Sequence, residues 1–145
     1  MPSRPVALVT FNARWTHSSL GHRCLAANLG ELRARAVILE PDSDQRPAEV
    51  AERILELDPL LVGLGVHVWN VRQSTELARL LKTLRPRLPL VLGGPEVSFE
   101  LDDLPVARVA DWVIRGEAEA AFCDLSRAVA AGRPPTPGVI DAAPP

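Results

Sequence analysis

Short apolar runs alternate with segments whose leucines recur at helical spacing, and this alternation organises nearly the whole chain. Val6–Phe11, Ala36–Leu39, Leu60–Val66, Leu88–Leu92 and Ala110–Ile114 are runs dominated by apolar residues on successive positions, the pattern of parallel strands covered on both faces. Between them lie helical stripes: Leu25, Leu29 and Leu32; Val50, Ile54 and Leu57; Leu77, Leu81 and Leu84; Phe122, Leu125 and Val129. The punctuation agrees. Ser18 or Ser19 can cap the first helix, Pro47 suits the first turn of the second, Pro86 stops the third and Gly132 the last. A short helix is expected around Val97–Leu104. The glycines of Leu60–Val66 predict close approach of a helix or a ligand.

Five strands alternating with helices predict an α/β fold, a doubly wound five-stranded parallel sheet of flavodoxin-like (Rossmann-like) order 2-1-3-4-5, with its switch point between strands one and three. The expected domain spans residues 1–132. Residues 133–145, rich in proline and alanine and without periodicity, read as an extended linker or tail beyond which something is attached.

Composition removes several classes of function. With 145 residues, 47% of them hydrophobic, the chain is expected to form one globular domain. A net charge of −2 leaves no basic footprint for nucleic acid. No apolar stretch has the length of a membrane span, and the N-terminal run is too short for a signal-peptide core. Cys24 and Cys123 stand far apart on apolar helix faces and read as buried free thiols of a cytoplasmic protein.

Chemistry concentrates in four loops at strand carboxyl ends, which share one edge of the predicted sheet: Asn12–Gly21, His67–Asn70, Gly93–Ser98 and Arg115–Glu119. Trp15 and Trp69 either sandwich a planar group or cap the sheet edge. His67 either contacts a ligand or is a satisfied structural histidine, and Arg14 either meets a ligand phosphate or is solvated. Gly93 and Gly94 let backbone approach a bulky ligand, although glycines also serve turns. Glu117 and Glu119 suit a helix start with or without a ligand. Trp112 reads as core, His22 as exposed, and Asp102-Asp103 as a solvated loop.

The loop Asn12-Ala13-Arg14-Trp15-Thr16-His17-Ser18-Ser19-Leu20-Gly21, the run Gly63-Leu64-Gly65-Val66 with Trp69-Asn70, Leu92-Gly93-Gly94-Pro95-Glu96-Val97-Ser98, and Val113-Ile114-Arg115-Gly116-Glu117-Ala118-Glu119 together resemble the N-terminal cobalamin-binding domain of B12-dependent radical SAM proteins. The resemblance implies cobalamin held against the sheet edge. Its binding residues would be Asn12, Arg14, Trp15, Thr16, His17, Ser18, Ser19, Gly21, Val66, His67, Trp69, Asn70, Gly93, Gly94, Pro95, Glu96, Val97, Arg115, Gly116 and Glu117. The family's D-x-H-x-x-G signature supplies an axial histidine to cobalt, oriented by its aspartate. Here Trp15 stands in the aspartate's place and glycine follows one residue late. His17 is therefore read as lining the cleft, with cobalamin bound base-off, and cobalt ligation by His17 as the second reading. Ala118 also departs from the glycine common at that point of the family.

The resemblance further implies a C-terminal radical SAM domain in cis, with a [4Fe–4S] cluster and S-adenosylmethionine. The two cysteines of this chain cannot hold that cluster. A flavin-binding electron-transfer domain and a ligand-free interaction domain are the alternatives. A receiver-like domain is disfavoured, because Asn12 and His67 stand where its acidic cluster belongs.

Overall fold

All five apolar runs form strands, and a sixth strand joins them. The computed structural model describes residues 4–11, 29–42, 44–67, 70–93, 105–116 and 119–141. The strands are β1 (Val6–Val9), β2 (Ala36–Leu39), β3 (Leu61–Gly65), β4 (Leu90–Gly93), β5 (Trp112–Arg115) and β6 (Gly138–Asp141). Every pairing is parallel, in the order β2-β1-β3-β4-β5-β6. The predicted order holds for the first five strands, and the predicted count of five is corrected to six.

Helices α1 (Pro47–Leu57), α2 (Val71–Leu84) and α3 (Glu119–Ala130) accompany the sheet, with short 3-10 turns at Gly30–Arg35 and Pro105–Arg108. Pro47 opens α1, where its missing N–H costs no hydrogen bond. Gly132, at φ 74°, follows α3 in a left-handed conformation that favours glycine. The expected helix at 97–104, the caps Ser18 and Ser19, and Leu25, His22, Cys24, Asp102 and Asp103 lie outside the described residues.

Alternation along each strand divides the core between two faces. Ala7, Val9, Val62, Leu64, Leu90, Leu92 and Val113 point towards Val50 and Ile54 of α1 and Leu77 and Leu81 of α2. Val6, Leu8, Leu61, Val91, Trp112 and Ile114 point the other way, towards Phe122 and Leu125 of α3 and the segment carrying Leu29 and Leu32. Both faces exclude water, which is why each strand reads as a continuous apolar run. Trp112 is core, as expected, and Cys123 is buried. Leu84, the last member of its predicted stripe, is 59% exposed because α2 ends there.

The sixth strand comes from the stretch read as an extended tail. Gly138–Asp141 lies alongside Trp112–Arg115, and the Trp112 indole Nε1–H donates to the Pro135 carbonyl at 3.3 Å on the way in. Helix α3 crosses the face opposite to α1 and α2, yet β6 is added in the same direction as β4 and β5. The β5–β6 crossover therefore has the opposite hand to the β3–β4 crossover through α2, against the usual rule for such connections.

At the amino edge Lys82, the single lysine, ties α2 to the sheet. Its Nζ donates to the Leu88 carbonyl at 2.8 Å and to Asp111 Oδ2 at 2.9 Å. The same carboxylate oxygen accepts the Leu90 N–H at 2.9 Å.

Gly63 marks where α3 comes closest to the sheet. A Cβ added there would stand 3.0 Å from both Leu8 Cδ2 and Phe122 Cε2. Gly63→Val should overpack this face and cost about 2 kcal/mol. Urea denaturation checks this as a lower midpoint at unchanged slope.

Candidate functional site

β1 and β3 are neighbours in the sheet, but the chain leaves them towards opposite faces. From β1 it goes to the face carrying Leu29 and Leu32, and from β3 to the face carrying α2. A crevice opens at the carboxyl ends of two strands that part in this way. The ladder pairs Val6–Val9 with Leu61–Leu64. Beyond it, the last carbonyls of both strands need other donors.

Asn70 supplies them. It is fully buried at the start of α2, and its Nδ2 donates to the Phe11 carbonyl at 3.0 Å and to the Gly65 carbonyl at 3.3 Å. Its Oδ1 accepts the His67 N–H at 2.7 Å and the Ser74 hydroxyl at 3.2 Å. The Asn70 N–H donates to the His67 carbonyl at 3.0 Å.

Next along the edge, the Val66 N–H donates to the Gly93 carbonyl at 2.8 Å, joining β3 to β4 where their ladder ends. Among the described residues, no atom lies within 4 Å of where a Cβ on Gly93 would stand. Gly63, by contrast, is needed for helix packing. Gly63 thus meets the expectation of close helix approach made for the glycines of Leu60–Val66.

His67 sits half-buried at the same switch point, and burial lowers its pKa from the ordinary 6.5, because the charged imidazolium loses hydration there. It is thus held neutral near pH 7, with one ring nitrogen as donor and the other as acceptor. One strand beyond β4, Arg115 is about half exposed, and its Nε lies 3.3 Å from Asp141 Oδ1 of β6. Gly116 turns the chain at φ 86°.

Of the predicted binding residues, Val66, His67, Asn70 and Gly93 are brought together at the ends of β3 and β4, with Arg115 and Gly116 at the end of β5. Asn12, Arg14, Trp15, Thr16, His17, Ser18, Ser19, Gly21, Trp69, Gly94, Pro95, Glu96, Val97 and Glu117 lie outside the described residues. Three participants escape the sequence reading: the Phe11 carbonyl, Ser74 and Asp141. Ser74 had a signal, a serine four residues after Asn70 on the buried side of a helix. Asp141 had none until β6 is known to pair with β5 in register. Among the described residues no cluster of three His, Cys, Asp or Glu suits a metal ion, and no helix is long and apolar enough to cross a membrane.

The lowered pKa of His67 makes a stability prediction. The folded state binds this proton less readily than the unfolded chain, so stability present above pH 6.5 is lost as pH falls below that value. His67→Gln should lose less stability than the parent between pH 7 and about pH 5. Urea titrations at the two pH values check this.

The B12 binding domain family model matches residues 6–126. A 2-(S-pantetheinyl)-carbapenam-3-carboxylate methyltransferase of Streptantibioticus cattleyicolor is 32% identical over 87 residues, 56% of this chain and 13% of that protein. An uncharacterised methyltransferase of Pyrococcus horikoshii is 28% identical over 119 residues, 81% of this chain and 26% of that protein. A cobalamin-dependent radical SAM methyltransferase of Streptomyces tokunonensis is 35% identical over 78 residues, 53% of this chain and 11% of that protein. The matches thus span 11% to 26% of the length of these relatives. Among solved structures, a cobalamin-binding protein from Desulfitobacterium hafniense shares the fold at TM-score 0.58 and 20% identity, over 86% of this chain and 58% of that one.

Proposed function

The chain belongs to the B12-binding domain family, and from that premise we propose that it holds cobalamin along the carboxyl edge of its sheet, as the cofactor module of a B12-dependent radical SAM methyltransferase. One observation carries the placement. Beside the β1/β3 switch point, β4 ends in Gly93, which carries no side chain, and no atom of the described residues lies within 4 Å of where a Cβ would stand. A bulky flat cofactor needs such an edge, where backbone can be approached and no side chain intrudes.

In this reading the Gly93–Val97 loop and the loop after β3, with Val66 and His67, form two walls of the cleft. The loop of Asn12 and Arg14 through Ser19 and Gly21 forms a third, with Trp15 and Trp69 offering apolar surface. His67, neutral because it is half-buried, offers a hydrogen bond without bringing a charge. Arg115, Gly116 and Glu117 rim the far end, where Asp141 steadies the guanidinium. Bound there, cobalamin supplies a cobalt centre that carries a methyl group. The chain's own part is to bind it, orient it and cover one side.

Cobalamin would be held base-off and without a protein histidine on cobalt, since Trp15 stands where the carboxylate that would orient His17 belongs. The cluster and S-adenosylmethionine belong to a separate radical SAM domain in cis. The lengths of the relatives and the radical SAM methyltransferase among them support that reading.

Purified chain mixed with hydroxocobalamin and desalted should retain about one equivalent of corrin absorbance. A colourless protein would overturn the proposal, and retained flavin in a parallel trial would favour an electron-transfer domain instead. His17→Ala should leave the spectrum of bound cobalamin unchanged. A clear shift would restore His17 as the cobalt ligand.

A further inference from the structure

Asn70 stands where an asparagine ordinarily caps its own helix, accepting a hydrogen bond from an N–H of the first turn. It makes no such bond. Its amide is turned to the strands instead, and all its capacity is used there. Both Nδ2 hydrogens go to carbonyls at the ends of β1 and β3, and Oδ1 receives the His67 N–H and the Ser74 hydroxyl. At 0% exposure it has no surface for a ligand. Two donors and a doubly accepting oxygen within one short side chain is a set that only Asn meets at this length. Asp would turn an oxygen towards two carbonyl oxygens. Ser could serve only one of them.

We infer that Asn70 is the positioning residue of the cofactor crevice, an inference that rests on the cobalamin reading for its consequence though not for its geometry. One rigid amide bridges the Phe11 and Gly65 carbonyls and so sets the separation of the two strand ends between which the crevice opens. The same amide holds the His67 backbone and fixes where the loop after β3 begins. The loop after β1 departs directly from Phe11. Both loops therefore take their starting geometry from Asn70, which itself touches no cofactor.

The test compares Asn70→Asp with Val106→Ala, a cavity variant at the buried core residue of the Pro105–Arg108 turn, at temperatures giving equal stability. The readouts are hydroxocobalamin affinity and hydrogen exchange of the His67 amide. Asn70→Asp should weaken cobalamin by about tenfold or more. It should also speed exchange at His67 while leaving the interior amides of β3 and β4 protected. Val106→Ala should keep affinity within about twofold, since it leaves the crevice intact. Equal affinities for the two variants, or unchanged exchange at His67, would overturn the assignment. If the parent chain retains no cobalamin, the cofactor reading falls and the exchange result alone judges Asn70. Should Asn70→Asp not fold, Ser74→Ala decides: it frees one side of Oδ1, and His67 exchange should rise severalfold, with no rise counting against the inference.

Discussion

At the switch point two neighbouring strands end in carbonyl groups that the ladder no longer serves, and a buried amide must serve them. Each buried polar group left without a partner costs about 1–3 kcal/mol. Asn70 satisfies the Phe11 and Gly65 carbonyls, the His67 N–H and the Ser74 hydroxyl together. It does so in a region that excludes water, beside Phe11 and Val66, both fully buried. The topology parts the chain at these strand ends, and one short side chain spans them.

The two edges of the sheet are treated differently, and the difference directs function to one of them. The amino edge is tied by charges: Asp58 pairs with Arg85 at 2.9 Å and with Arg4 at 3.4 Å, while Lys82 and Asp111 join α2 to β4 and β5. The Asp58 pairs are exposed and contribute little stability each, but they occupy the edge. At the carboxyl edge the described groups at the ends of β1, β3 and β4 are an amide, backbone, a half-buried neutral imidazole and a glycine. Among the described residues Arg115 and Asp141 place an ion pair at the β5–β6 end. The cobalamin site proposed for this chain lies at this second edge, away from the Asp58 and Lys82 ion pairs.

Much of this was legible in the sequence, for identifiable reasons. Strands buried on both faces leave unbroken apolar runs, and helices with one buried face leave stripes such as Leu77 and Leu81. Pro47 and Gly132 mark helix boundaries because their backbone constraints act locally. The sixth strand was not legible. Gly138–Asp141 is short, follows a proline-rich segment, and Val139 remains 48% exposed, so burial leaves no apolar run there. Its crossover also takes the uncommon hand, so the topological rule that orders the other strands gives no reason to expect it.

Within the site, the sequence by itself determined which strand ends carry glycine, histidine and asparagine, because residue type at the end of a predictable strand is a local matter. Only the tertiary structure decided what those residues do. Gly63 and Gly93 look alike in sequence, yet Phe122 of α3 fills the space beside one and no described residue fills the space beside the other. Asn70 read as a ligand contact, and its partner at Phe11 lies 59 positions away. Periodicity records which face of an element is buried. It does not record which distant backbone group a buried side chain must satisfy, and that depends on how the strands are brought together.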